Sequence, residues 1–261
     1  PRVSGGGFER LMQEKIAVYI GLLSELAREI NNGFFLRIKH GRPLITFKTA
    51  TTIDGKIATK DGVSKWITGK EARALGHQLR SMHDAVMVGS GTAIADNPQL
   101  TSRLSGVANK NRPRIVVDGR LRLSLSSKMV MSARESPVWL ITRDDHPPEK
   151  LQPYKDHNVD LILIPPEDSG GYGINSVLQH LGNRGLTRVL VEGGGQLASS
   201  LFSADLIDQI AWFRAPSVMG NDGLSAVGNL ELCRLSEMPS FVRCSWNPLG
   251  SDHLEILMRS R

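Results

Sequence analysis

Two short apolar runs, each stopped by glycines, constrain this chain more than any other feature. Residues 85–88, Ala-Val-Met-Val, read as a buried strand that ends at once in Gly89-Ser90-Gly91-Thr92. Residues 188–191 repeat the pattern and end in Glu192-Gly193-Gly194-Gly195. A helix-like run over 196–204 follows, with Leu197, Leu201 and Phe202 at helical spacing. In α/β proteins such strand–glycine–helix junctions lie where ligands bind, outside the carboxyl ends of the strands. Bare N–H groups and the helix dipole favour an anion there, although glycines also permit close helix–strand packing. Asp96, Asn97, Thr101 and Arg103 follow the first junction and supply an acid, an amide, a hydroxyl and a fixed cation. Glu192 is odd beside an anion. It fits better as an acceptor for a ligand's N–H or O–H donors.

From residue 44 onward, strand-like runs (44–48, 85–89, 114–118, 138–142, 161–164, 188–192) alternate with helix-like ones (71–83 and 174–181). Ala72, Leu75, Leu79 and Met82 share one face of the first helix, and Thr68 with Glu71 reads as its capping box. The alternation predicts an α/β fold with a mostly parallel central sheet flanked by helices. Near the end, 241–246 and 253–258 read as neighbouring antiparallel strands joined by a turn over 247–252. Ahead of residue 41 the pattern is a glycine-rich loop, a helix over 8–15, a short strand over 16–20, a helix over 22–31 and a linker over 37–42. That βα tail suggests the remnant of a preceding domain over 1–40, with the main domain over 41–261.

The 261 residues can bury a substantial core, and 40% hydrophobic with 22% charged residues is ordinary for a globular protein. No apolar run approaches the roughly 20 residues of a membrane span, so no membrane partner is expected and the cytoplasm is the expected location. The net charge is +6, but basic residues interleave with acids and no aromatic platform accompanies them, which argues against nucleic acid and suits a small anionic ligand. Cys233 and Cys244 form no metal or redox motif and read as reduced core thiols. The seven histidines have no metal-ligand spacing, so no metal is expected.

Lys48 ends the first strand and leads toward the Asp54-Gly55 hairpin signal. There it either faces the crevice of the glycine turns or lies solvated at an edge. Trp66 covers a flat ligand or packs in the core; Arg80, beside the apolar face of its helix, is solvated or holds an anion. Nucleophile elbows, phosphate-binding Gly-Lys-Ser/Thr loops and zinc signatures are absent. Glycine turns with a lysine and carboxylates suit chemistry that belongs to a cofactor, hydride transfer above all.

The motifs Pro43-Leu-Ile-Thr-Phe-Lys48, Thr52-Ile-Asp-Gly-Lys56, Ser64-Lys-Trp-Ile-Thr68, Asp84-Ala-Val-Met-Val-Gly-Ser-Gly-Thr92, Ala95-Asp-Asn-Pro98 and Val191-Glu-Gly-Gly-Gly195 occur in this order. Over about 41–261 the chain thereby resembles the reductase half of the bifunctional riboflavin-biosynthesis deaminase–reductases, and 1–40 resembles the end of their deaminase domain. The resemblance implies a dihydrofolate-reductase-like fold, NADPH, a homodimer, and reduction of the ribosyl group of 5-amino-6-(5-phosphoribosylamino)uracil to ribityl. It implies no deaminase activity here, that domain being supplied upstream or by another chain. Substrate contacts carry over to Ser64, Arg80, Leu100, Arg103 and Glu192, with Arg80 and Arg103 clamping the 5′-phosphate. Lys48 and Glu192 become the catalytic pair. Cofactor contacts fall on Ala50, Trp66, Thr92, Asp96 and the turn Gly194, Gly195, Gln196, Leu197, Ala198, Ser199 and Ser200, with Gly119 as a further contact and Arg143 for the 2′-phosphate. Two positions depart from the family pattern: Asn97 stands where a second aspartate is usual, and Thr49 where a leucine is usual. A pterin reductase on the same fold, or a silent dimerisation or regulatory domain, are the rival readings; the first has no anion for Arg80 and Arg103 to clamp.

Overall fold

The computed structural model describes residues 5–102, 112–166 and 173–260. Its strands are β1 (Leu44–Thr51), β2 (Lys56–Ala58), β3 (Ala85–Gly89), β4 (Arg114–Val117), β5 (Val138–Arg143), β6 (Asp160–Ile164), β7 (Arg188–Glu192), β8 (Gln209–Arg214), β9 (Leu224–Ser225), β10 (Phe241–Leu249) and β11 (Asp252–Arg259). Its helices are α1 (Gly6–Gln13), α2 (Ser24–Ile30), α3 (Asn32–His40), α4 (Lys70–Ser81), α5 (Ser90–Asp96), α6 (Lys128–Met131), α7 (Pro148–Asp156), α8 (Ile174–Asn183) and α9 (Gly195–Ser203). Nine strands form one sheet in the order β10-β11-β8-β1-β7-β3-β4-β5-β6, and β2 pairs apart with β9. All neighbours from β8 to β6 are parallel; β11 runs antiparallel to β8, and β10 to β11. The α/β fold with antiparallel C-terminal strands is therefore the one the residue pattern predicts.

Continuous apolar runs form these strands because both sheet faces are covered. Ile45, Phe47, Met87 and Ile115 pack on one face with Val177, Leu178 and Leu181 of α8 and Leu201 of α9. Val86, Val88, Val116 and Leu140 take the other face, under Met129 and Val130 of α6 and Tyr154 of α7. This alternation follows from the two-residue repeat of a strand.

Chain order positions the site. After β1 the chain forms β3 two places away, proceeds outward to β6, then returns to insert β7 between β1 and β3 before crossing to β8. The carboxyl ends of β1, β7 and β3 therefore adjoin at a switch point, with Lys48 paired to Glu192 in register.

Several local expectations are corrected. Residues 16–20 form no strand, because nothing pairs with them. The expected linker at 37–42 is mostly helix α3, which docks closely: a Cβ on Gly33 would meet the Thr187 carbonyl oxygen at 2.5 Å, and Arg37 Nε donates to Gly182 O at 2.8 Å. The capping box is absent. Gly69 is the N-cap of α4, and its N–H donates to the buried Asp252 of β11 at 2.6 Å. Met82 lies past the helix end and is exposed; the chain does reverse at Asp54-Gly55, where Thr52 N–H donates to Lys56 O at 3.0 Å, but the ladder of β2 is with β9. Cys233 and Cys244 are free but exposed, since neither side chain faces a packed layer. Among the described residues no helix is long and apolar enough to cross a membrane.

Candidate active site

Parallel pairing brings the ends of β1 and β7 together, and α4 crosses above them. Arg80 on α4 meets Glu192 in a two-pronged pair: Nε to Oε1 at 2.6 Å and Nη2 to Oε2 at 2.8 Å. Its Nη1 donates to Thr101 O at 3.0 Å. Lys48 points toward the same helix. A Cβ on Gly76 would lie 3.8 Å from its Nζ, and the Nζ is 5.5 Å from the Phe213 ring centroid. Gly76 thus leaves room for the lysine to pass beneath α4.

The electrostatics follow from enclosure. Burial opposes ionisation of Glu192, yet the Arg80 charge and hydrogen bonds, with Lys48 and His77 nearby, hold its pKa down to about 2. Burial lowers the pKa of Lys48; Glu192 partly restores it and Arg80 lowers it further. Glu192 is thus an obligate carboxylate, while Lys48 gives up its proton more easily than a free lysine.

The two glycine junctions touch. Gly193 and Gly194 have φ of 70° and 84°, and a Cβ on Gly194 would lie 3.0 Å from Thr92 Oγ1. Gly91 is exposed with open space beside it. Gly195 differs: a Cβ there would meet Ser225 O at 2.9 Å, so this glycine serves packing against its own chain. Leu197 and Ala198 bury their side chains in the core, leaving only backbone to a ligand, whereas Gln196 and Ser200 are exposed. Ala198 makes the first in-helix bond, to Gly194 O at 3.0 Å, so the preceding N–H groups stand ahead of the ladder.

The remaining candidates gather less tightly. Ala50 is half-buried two residues beyond Lys48, and Ser64 is half-buried. Trp66 is 70% exposed, so it is no core tryptophan; the Arg73 guanidinium lies 4.6 Å from its ring centroid. Asp96 is exposed at the end of α5. Leu100 has φ 53° and a buried side chain, so it too offers a ligand backbone only. Gly119 follows β4, with His146 Nε2 2.9 Å from its carbonyl oxygen. Arg143, two strands out from β3, pairs with Asp145 at 3.0 Å. Arg103 lies outside the described residues.

A phosphate clamp at Arg80 would have to use the donors that its bonds within the protein leave over. Three of its five N–H donors are already committed within the protein, two of them to Glu192. Likewise both Glu192 oxygens already accept from Arg80, and a ligand must share them. Two further residues join the site that the motifs do not single out. His77 lies one helical turn before Arg80, a spacing the sequence displays. Arg122 donates from Nη2 to Ser90 Oγ at 2.6 Å, at the first glycine junction; the basic pair after Asp118 is its signal.

Residues 43–244 match the family described as the RibD C-terminal domain. The riboflavin biosynthesis protein RibD of Aquifex aeolicus is 37% identical over 253 residues, covering 97% of this chain and 68% of that protein. An Acinetobacter baumannii RibD structure superposes with a TM-score of 0.84 at 27% identity, covering 100% of this chain and 70% of that one. A Thermotoga maritima structure, described as a diaminohydroxyphosphoribosylaminopyrimidine deaminase/5-amino-6-(5-phosphoribosylamino)uracil reductase, gives 0.81 at 31% identity, covering 99% and 68%. The chain spans about two thirds of the length of each.

Proposed function

The chain belongs to the RibD C-terminal domain family, and from that premise we propose that it reduces 5-amino-6-(5-phosphoribosylamino)uracil with NADPH, turning its ribosyl group into ribityl. The observation that carries the reading is the enclosed Lys48–Glu192–Arg80 cluster at the sheet's switch point, beside the paired glycine junctions. The Thermotoga relative's description names the same substrate.

The junctions suit a dinucleotide. Gly91 leaves open backbone, and the bend at Gly193 and Gly194 keeps side-chain bulk away from Thr92. Thr92, Asp96 and the backbone over 194–200 would hold the cofactor, with Ala50, Trp66 and Gly119 at its flanks and Arg143 toward a 2′-phosphate. Bound NADPH supplies the hydride that C1′ of the substrate accepts. Lys48 in its ammonium form donates a proton to the ribose ring oxygen as the ring opens and C1′ becomes imine-like. Glu192 accepts from substrate N–H or O–H groups through lone pairs that Arg80 leaves free. Arg80's remaining donors and Arg103 face the 5′-phosphate, Ser64 and the Leu100 backbone complete the substrate contacts, and α4 keeps bulk water from the lysine.

In this reading 41–261 is the reductase, acting as a cytoplasmic homodimer, and deamination belongs to a separate domain. The test is NADPH oxidation, followed by its near-ultraviolet absorbance, with the phosphoribosylaminouracil and separately with dihydrofolate. Turnover with the first alone supports the proposal. Turnover with dihydrofolate alone moves the chain to the pterin reductases, and silence with both overturns the assignment.

A further inference from the structure

The largest fully buried side chain among the described residues is a cation with no part in the chemistry above. Arg114, the first residue of β4, is 2% exposed, and among the described residues no carboxylate pairs with it. Its guanidinium is surrounded by oxygen acceptors instead. Nη1 donates to Ser132 Oγ at 2.9 Å and Gln99 O at 3.2 Å; Nη2 donates to Ser132 O at 3.2 Å, Met129 O at 3.4 Å and Ser136 O. The charge of Glu135 favours the ionised form of Arg114 without forming an ion pair, yet burial still pulls its pKa down to about 10, so holding this charge is costly. What this one achieves is geometric: it joins α6 and the turn after it to the backbone of the 97–102 loop.

A second tether runs in parallel. Asn97 has φ 40°, and its Oδ1 accepts from the N–H of Lys128, the first residue of α6, at 2.9 Å. The far side of the loop is held by α4: Thr101 O accepts from Arg80 Nη1 at 3.0 Å, and Ser102 Oγ donates to His77 O at 3.1 Å. The loop is thus strung between α6 and the helix that carries Arg80. Between the tethers, Leu100 holds a left-handed φ of 53°, which a leucine adopts only when its surroundings over-determine it.

We infer that Arg114 and Asn97 are positioning residues for substrate binding: they fix the 97–102 loop so that its backbone meets the substrate at the height of Arg80 and Glu192. The inference rests on the proposed substrate side of the site. It also gives a role to the side-chain oxygen at position 97, which accepts the first N–H of α6 as an aspartate oxygen there would.

The decisive variant is Asn97→Gly, because glycine keeps the left-handed backbone and removes only the tether. Its KM for the phosphorylated pyrimidine should rise roughly fivefold to tenfold, as a misplaced binding group predicts. The NADPH dissociation constant, read by quenching of protein fluorescence, should stay within about twofold, since the glycine junctions do not depend on this tether. Arg114→Met should raise KM further and also lower the melting temperature; Arg114→Lys should recover part of the KM. Amide hydrogen exchange on the whole chain supplies a readout independent of turnover: the 97–102 segment should exchange faster in Asn97→Gly, with β3 unchanged. An unchanged KM, or unchanged exchange in the loop, overturns the inference. If the parent protein does not turn over the pyrimidine, the functional proposal fails instead, and the exchange measurement still decides whether Asn97 holds the loop.

Discussion

Lys48 and Glu192 sit side by side on adjacent parallel strands, yet burial acts on them in opposite ways, and each difference is measurable. Glu192 is kept ionised by a bidentate partner, so its folded pKa of about 2 lies below its ordinary 4.5. The unfolded state then binds the extra proton in between. This carboxylate's contribution to stability is fully present above about pH 4.5 and is lost as the pH falls toward 2. The urea midpoint of Glu192→Gln should therefore fall less steeply across that window than the parent's. Lys48 also has a lowered pKa, from burial first, but it is a base, so enclosing its charged form weakens the fold until the pH rises toward 10.5. If Lys48 donates the ring-oxygen proton, kcat should decline along an alkaline limb below pH 10.5. Residual activity in Lys48→Arg should lack that limb, and Lys48→Met should lower kcat roughly 10²- to 10⁴-fold without changing NADPH binding. A parent profile that stays flat to pH 10.5 would remove Lys48 as the acid.

At the scale of elements, the site depends on how α4 is held, because that helix carries Gly76, His77 and Arg80 together. β11 anchors its head: Asp252, 4% exposed, accepts the N–H of the N-cap residue Gly69 across the fold. Asp252→Ala should lower stability by about 1 kcal/mol, the usual net value of a lost hydrogen bond, and raise substrate KM because Arg80 shifts with its helix. Chemical denaturation and steady-state kinetics read the two effects separately; a stability loss with unchanged KM would make this anchor purely structural. This element also shows what the sequence could disclose. Strands β3 and β7 were legible to the residue, because parallel strands buried on both faces are unbroken apolar runs closed by glycine. The start of α4 was legible only approximately. Thr68 and Glu71 satisfy a local capping rule, while the group that bonds the N-cap residue lies 183 residues away in sequence. The same holds within the site. Glu192 announces itself at a strand end and Thr92 just past one, whereas Lys48 lies within β1, which continues to Thr51; the Arg80–Glu192 pair spans 112 residues and depends on topology rather than on any local pattern. Helix α3 reads as a linker because its basic residues and Gly41 resemble a loop, and its docking face is a glycine whose meaning appears only against Thr187.

For the molecule as a whole, that face bears on where the folded body begins. α1 and α2 contain no buried residue, and Tyr19 and Leu22 between them are 90% and 84% exposed. α3 differs sharply: Asn32, Gly33 and Leu36 are buried, and Arg37 reaches the carboxyl end of α8. Sequence places the boundary near residue 40; from the packing of α3 we propose that the folded body begins at the start of that helix. Removing residues 1–31 should therefore leave the melting temperature within about 3 °C, since no core contact is lost. NADPH affinity should be unchanged. Removing residues 1–41 instead strips the burial of Leu36, on the order of 2 kcal/mol, and uncovers the surfaces of Thr187 and Gly182, so it should lower the melting temperature by several degrees. The shorter truncation should also bind less of a hydrophobic dye, because it deletes the exposed apolar side chains of Met12, Tyr19, Ile20, Leu22 and Leu23. Equal melting temperatures for the two truncations would return the boundary to residue 40 and make α3 part of whatever precedes the reductase. A large loss on removing only residues 1–31 would mean that α1 and α2 stabilise the fold through the Arg188 contacts to Glu29 O and Ile30 O, the hydrogen bonds that tie α2 to β7.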